Sequence, residues 1–169
     1  MTKNEFCKWV YLEAIKATDI SPVFVTAQAA LESGWGKSCI GNYNLFGITK
    51  GSNWTGKTIL ITTHEIFPRT DVKFTAPEEV IGINRLEDGR YKYTVKRLFK
   101  DFQSLEECLS EHSRIFQKPG YADAWPYRNQ RFEFARRIVN NVGCKYATDP
   151  NYYNTMCAMI KSVQKYLTS

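Results

Sequence analysis

The carboxylate with the most suggestive setting in this chain is Glu32. It stands in the run Val25-Thr26-Ala27-Gln28-Ala29-Ala30-Leu31-Glu32-Ser33-Gly34-Trp35-Gly36, near the C-terminal end of an otherwise apolar helical stretch. Burial disfavours an ionised carboxyl, and so does the negative end of a helix. Each raises the pKa, so the group can hold a proton near neutral pH, as a general acid for a glycosidic oxygen must. The small residues after Ser33 would let a polysaccharide approach the backbone, and Trp35 offers a flat face. Position alone favours a solvated glutamate in a last helical turn, because exposed glutamates are common.

Other patterns with chemical potential carry less. Gly51-Ser52-Asn53-Trp54-Thr55-Gly56-Lys57-Thr58 matches the phosphate-binding P-loop letter for letter. That loop needs a strand before it and a helix after it, so that amides and helix dipole meet at the phosphate. Here Ile59-Leu60-Ile61-Thr62-Thr63 reads as strand, which argues against nucleotide binding. His112 lies on an apolar helix face and reads as a core or rim residue. His64, beside Glu65 on a strand, could line a site, but Cys39 with His64 lacks any local signature of a cysteine hydrolase.

These residues need elements to hold them. Residues 3–17 read as a helix with Phe6, Trp9, Val10 and Ala14 on one face. Ser21-Pro22 opens a second, with Val23, Phe24, Ala27, Ala30 and Leu31 as its apolar stripe and Gly34 placed to end it. Thr58–Phe67 is β-branched and reads as a strand; Tyr91–Phe102 is its partner. The long polar segment between them, residues 68–90, is expected to hold a short helix at Pro77–Val80 and to be functional or mobile. Ser104 with Glu107 makes a capping box for a helix burying Leu105, Cys108, Leu109, His112, Ile115 and Phe116. Residues 131–140 form another, with Phe132, Ala135, Ile138 and Val139 inward. Asp149-Pro150 opens the last, whose face is Tyr153, Met156, Cys157, Ile160, Val163 and Leu167. The fold class is α+β, mainly helical, with one small antiparallel hairpin.

The 169 residues fit one domain, 43% hydrophobic and 14% aromatic. The net charge of +6 favours polyanions, nucleic acid, anionic membrane or an acidic cell wall, but the basic residues are dispersed and choose no partner. Five cysteines, Cys7, Cys39, Cys108, Cys144 and Cys157, are an odd number without a C-x-x-C pair. They argue against a disulfide framework and a zinc site, and for a reducing compartment. The start, MTKNEFCKWVYLEAIKA, is not a signal peptide, and no stretch approaches the ~20 apolar residues of a membrane span.

The run AQAALESGWGKS followed by NYNLFGIT resembles the glucosaminidase family of peptidoglycan hydrolases, glycoside hydrolase family 73, which includes flagellar rod-cap hydrolase domains, autolysins and phage endolysins. The likeness extends to Thr62-Thr63-His64-Glu65, similar to the family's T-x-E strand. It continues in Lys145-Tyr146-Ala147-Thr148-Asp149-Pro150-Asn151-Tyr152, similar to its G-Y-A-T-D-P-x-Y segment with Lys145 where Gly is usual. It covers about residues 20–165, and 68–90 is longer than the usual hairpin connection.

The resemblance implies a lysozyme-like domain over residues 1–169, with the hairpin as a lobe beside the active-site cleft. It implies an endo-β-N-acetylglucosaminidase cleaving the β-1,4 bond after N-acetylglucosamine in peptidoglycan. Glu32 would be the acid. Glu65 would be the base for water or a stabiliser of oxocarbenium-like charge, with Glu79, Glu87 and Asp88 as rival second carboxylates. Inversion, retention and attack by the substrate's own acetamido group all stay open. Tyr146 would bond the acetamido group or a water, or pack against the final helix. Trp35, Tyr43, Phe46 and Trp54 are candidate sugar platforms; Asn44 could bond a sugar or cap its turn; Trp125 and Tyr127 could form an opposite wall. The other readings are a muramidase or lytic transglycosylase on the same fold, and a glycan-binding module without turnover. No metal or organic cofactor, nucleic acid or membrane insertion is implied. The protein is expected to be a monomer, made in the cytoplasm without a signal peptide. It would reach the wall as a phage or prophage endolysin or as a domain of a longer exported protein.

Overall fold

The structure, a computed structural model, describes residues 1–140 and 145–169; Cys144 lies outside them. They fall into two compact units, one of residues 1–47 with 102–169, the other of residues 48–101.

The first unit is helical: α1 (Lys3–Ala17), α2 (Pro22–Ser33), α3 (Leu105–Phe116), α4 (Arg131–Asn140) and α5 (Tyr152–Thr168). Helix α2 is its centre, touching α1, α4 and α5. Its sequence explains why: Phe24, Val25, Thr26, Ala27, Gln28, Ala29, Ala30 and Ser33 are all buried, so the helix is covered nearly all round. The alanines let neighbours come close. The two hydroxyls return to the backbone, Thr26 Oγ1 donating to Pro22 O at 2.7 Å and Ser33 Oγ to Ala29 O at 2.6 Å. Ser21 caps the start, as its sequence position requires, with Oγ accepting from Phe24 N.

The end of α2 accounts for Ser-Gly-Trp-Gly. Gly34, Trp35 and Gly36 all have left-handed backbones, at φ 57°, 61° and 85°. Gly34 N and Trp35 N both donate to Ala30 O, and Gly36 N donates to Ser33 Oγ at 2.9 Å. Trp35 adopts a conformation that costs a side-chain-bearing residue roughly 1–2 kcal/mol. Its ring is packed edge-on by Phe6 and Tyr166, with the Lys3 ammonium 4.9 Å above it. A Cβ on Gly36 would meet the Phe6 ring at 3.2 Å, so the glycine makes room for α1. This turn, and the helix it ends, hold Glu32 in place.

The remaining helices follow the expected periodicity except in α4, where Phe134 is buried and the expected Phe132 is exposed, and two helix starts differ. Ser104 Oγ accepts from Glu107 N, but Glu107 Oε2 accepts from Gln103 N rather than from the cap residue, so the box closes one residue earlier. Helix α5 begins at Tyr152, not at Asp149-Pro150. Asp149 Oδ1 accepts from Asn151 N, and Asp149 O from Tyr152 N, so this pair forms a turn that leads into the helix. Its buried residues are Tyr152, Met156, Ile160 and Val163. The described cysteines are free thiols; Cys7 and Cys108 are buried, Cys39 and Cys157 half-buried. No helix among the described residues is long and apolar enough to cross a membrane.

The second unit is a three-stranded antiparallel sheet of β1 (Thr58–Phe67), β2 (Glu79–Arg85) and β3 (Tyr91–Lys100), ordered β1-β3-β2. The expected hairpin is present, with Glu65 opposite Tyr93 and Thr63 opposite Val95. The expected helix at Pro77–Val80 is not. Glu78 N closes a turn on Thr75 O, and Val80 and Ile83 then pair with Val95 and Tyr93. Val80, Ile81 and Ile83 are β-branched and favour a strand over a helix; a bulge at Ile81 absorbs one residue. The start of the insert is tied to the sheet as well, since Tyr93 Oη donates to Arg69 O at 2.7 Å and Phe67 packs on Phe74 and Tyr93. The P-loop-like run leads straight into β1, so a strand follows it where a phosphate loop needs a helix.

Candidate active site

In the helical unit, Glu32 ends a chain of hydrogen bonds running from the core. Tyr152 Oη donates to Glu32 Oε1 at 3.0 Å, Gln28 Nε2 donates to Tyr152 Oη at 3.0 Å, and Gln28 Oε1 meets His112 Nε2 at 2.5 Å. Gln28 and Glu32 are four residues apart on α2, hence on one face. His112 comes from α3 and Tyr152 from α5, so three helices meet there. Gln28 and His112 are fully buried. The His112 ring stacks on Phe46 at 3.9 Å and meets the edge of Phe116.

Glu32 itself is exposed by surface area, yet desolvation raises its carboxyl pKa above the ordinary 4.5, with the Tyr152 hydrogen bond working the other way. The two facts are compatible. Solvent reaches one side of a carboxyl whose other surroundings are protein, here the Tyr152 and Tyr146 side chains. Burial also raises the Tyr146 hydroxyl far above its usual range, with the Glu32 charge adding to it. Tyr146 stacks on Phe116 at 5.4 Å and leans on Tyr152 at 5.5 Å. These contacts pack Tyr146 against Tyr152 at the start of the final helix and set it near Glu32. Tyr152 holds Oε1, so a proton on this carboxyl would sit on Oε2.

The other expected glycan contacts in this unit divide. Asn44 is fully buried and pairs through its backbone with Ile40, and Phe46 is 7% exposed beneath His112. Both positions belong to the interior, whereas Trp35 is half-buried. Tyr43 and Trp125 are half-buried, and the Arg128 guanidinium lies over Trp125 at 4.9 Å. Arg137 covers Tyr127 at 4.1 Å.

In the sheet unit, Glu65 is half-buried on β1. Arg97 Nη1 donates to both of its carboxylate oxygens at 2.6 Å, while Arg97 Nε donates to Glu78 Oε2 at 2.6 Å. Glu78 Oε2 also accepts from Leu98 N, and the guanidinium lies over the Phe74 ring. Of the rival carboxylates, Glu79 and Glu87 are exposed, and Asp88 is bound to Arg90 in the β2–β3 turn. Glu78, from the insert, is the carboxylate that shares a partner with Glu65. Replacing Arg97 by Met would leave two half-buried carboxylates without their common cation. It is expected to cost about 1–3 kcal/mol, read as a lower thermal midpoint. Adding Glu65→Gln and Glu78→Gln should recover most of that loss; an undiminished loss would show that packing, not charge, was removed. Trp54, half-buried, donates from Nε1 to Lys57 O and lies under the Lys100 ammonium, and Gly56 beneath it has no space for a Cβ. No group of three or more His, Cys, Asp or Glu among the described residues could hold a metal ion.

Sequence reasoning passed over Gln28, Tyr152, Arg97 and Glu78, and read His112 only as core or rim. Part of the signal was present. A histidine on an apolar helix face must satisfy its N–H, and a glutamine one turn before Glu32 is a ready partner.

The sequence pattern of the glucosaminidase family, described as mannosyl-glycoprotein endo-beta-N-acetylglucosaminidase, matches residues 8–165. A peptidoglycan hydrolase mutant from Sphingomonas sp. A1 is 30% identical in its crystal structure, with a TM-score of 0.71 over 98% of both chains. A C-terminally truncated glycoside hydrolase domain of Salmonella typhimurium FlgJ is 26% identical, with a TM-score of 0.69 over 97% of this chain and 99% of that one. The peptidoglycan hydrolase FlgJ of Salmonella typhimurium is 31% identical over 95% of this chain, which spans 46% of that relative's length. With a match over nearly the whole chain, this protein belongs to the glucosaminidase family of glycoside hydrolases.

Proposed function

We propose that the chain is an endo-β-N-acetylglucosaminidase that hydrolyses the β-1,4 bond after N-acetylglucosamine in peptidoglycan, residues 1–169 serving as one catalytic domain. The observation that carries this is Glu32, a carboxyl with a raised pKa, held through one oxygen by Tyr152, in a chain of this family. Glu32 protonates the leaving glycosidic oxygen and stabilises the departing alcohol. Tyr146, beside it, supports the acetamido group or a water. Glu65 acts as base for the attacking water or balances the oxocarbenium-like charge, with Arg97 holding its orientation. Tyr43, Trp54 and Trp125 are the platforms we assign to glycan. Asn44 and Phe46 we assign to the scaffold because they are buried, and Trp35 because Phe6 and Tyr166 pack on its ring.

The site of action is the cell wall. The net charge of +6 draws the protein to an anionic wall, and that attraction weakens as salt rises. The test is digestion of purified peptidoglycan followed by mass spectrometry. Products with a reducing N-acetylglucosamine end are expected. A reducing muramic end would make the protein a muramidase, an anhydro-muramic end a lytic transglycosylase, and binding without products a glycan-binding module.

A further inference from the structure

The proton positions in the chain behind Glu32 follow from its atoms. An amide oxygen only accepts, so His112 Nε2 must carry a hydrogen to meet Gln28 Oε1 at 2.5 Å. Burial lowers the His112 pKa to about 3, so the ring is neutral and its Nδ1 is bare. That atom is buried without a partner among the described residues. This arrangement is preferred over the reversed amide. Reversal would move the ring hydrogen to Nδ1 and leave a buried donor unsatisfied. The Gln28 amide group therefore faces Tyr152 and donates to its oxygen. With that oxygen accepting, the hydroxyl hydrogen is free to point at Glu32 Oε1.

We infer that Gln28 and His112 are positioning residues for the acid: they hold Tyr152 with its proton directed at one oxygen of Glu32, so that the other oxygen delivers the catalytic proton. This rests on Glu32 being the acid. Gln28 and His112 touch no reacting atom. Every member sits on a helix of the same core, so the direction of the chain is built in before substrate arrives. The titratable groups around Glu32 are Tyr152 from α5 and Tyr146 from the segment before it. Tyr121 interacts with both tyrosines, and neutral His112 lies behind Gln28.

The test is a mutant cycle read by pH. A hydroxyl that donates to a carboxylate favours its ionised form, so removing it raises the Glu32 pKa. In Tyr152→Phe the alkaline limb of kcat/KM should move up by about half a unit to one unit. The titration of the Glu32 carboxyl carbon by NMR should move with it. Gln28→Leu should move both in the same direction, because it frees the hydroxyl to rotate. The double variant should move no further than Tyr152→Phe alone, since Gln28 acts only through Tyr152. Should Gln28→Leu fail to fold, Gln28→Glu keeps the shape and accepts from both neighbours. It turns the tyrosine proton away from Glu32, and the limb should again rise. The added charge can act on its own, so the part that disappears in the Tyr152→Phe background is the part that counts. A Gln28 variant that lowers stability but leaves the Glu32 titration in place would overturn the proposal, as would additive shifts. Neither result would touch the acid assignment, which falls only if Glu32→Gln stays active.

Discussion

Replacing Glu32 by Gln is expected to cut the release of reducing ends from purified peptidoglycan by roughly a hundred- to ten-thousand-fold, the usual contribution of a positioned acid. The shape is conserved: an amide oxygen at position 32 can still accept from Tyr152 Oη, so the chain through Gln28 to His112 stays intact. What is lost is the proton that Oε2 delivers. With Glu32 as the proposed acid, the active form is the protonated carboxyl, so activity should persist below the raised Glu32 pKa and decline as pH rises through it. The linked effect on stability has the same sign. A pKa raised by folding contributes stability that is fully present below the unfolded value and is lost as pH rises through the folded one. At neutral pH the ionised Glu32 is thus a burden on the fold. Glu32→Gln should melt slightly above wild type there, and the gain should vanish in acid below about pH 4. Thermal melts at the two pH values, alongside the activity assay, check both arms. A mutant that is stable and fully active would remove Glu32 from its role.

Phe116→Ala should be the most damaging single change to the helical unit. Phe116 is fully buried, and its ring lies 5.1 Å from His112, 5.1 Å from Tyr121, 5.2 Å from Phe134 and 5.4 Å from Tyr146. Removing it leaves a cavity among rigid rings that cannot collapse readily, at a cost of about 3–5 kcal/mol. Against a total of about 5–15 kcal/mol for an ordinary domain, that is a large fraction. Urea denaturation should show a much lower midpoint. Activity should fall as well, because the same ring supports Tyr146 on one side and His112 on another. Phe116→Leu, which refills most of the volume, should recover the larger part of both. A loss under about 1 kcal/mol for the alanine would mean the neighbours close the gap, and would separate the site from this cluster.

Much of the helical unit was legible because local chemistry and long-range packing agree there. Ser21-Pro22 and Gly34 mark the ends of α2 in the chain as they do in space. The apolar spacing of α1 and α3 names most of the residues that are buried, with Trp9 and Ile115 only half-buried. Legibility failed where pairing competes with local preference. Val80 and Ile83 form a strand only because Val95 and Tyr93 lie opposite them, and a turn at 75–78 replaces the expected helix. Trp35 is a second case, since its left-handed backbone and its edge contacts with Phe6 and Tyr166 are set by the fold and not by its place beside two glycines.

Taken by itself, the amino-acid sequence singled out Glu32 as the candidate acid and placed it at a helix end, because helix limits and a contiguous motif are local properties of the chain. The tertiary structure decided what surrounds that carboxyl. Gln28, His112 and Tyr152 are separated by as many as 124 residues and meet through three helices packed on one core. Arg97 reaches both Glu65 and Glu78 only because strand register and the folded insert bring all three to one side of the sheet. Hydrogen bonds and ion pairs of this kind depend on distances of a few ångströms between segments remote in sequence, and no pattern along the chain encodes them directly.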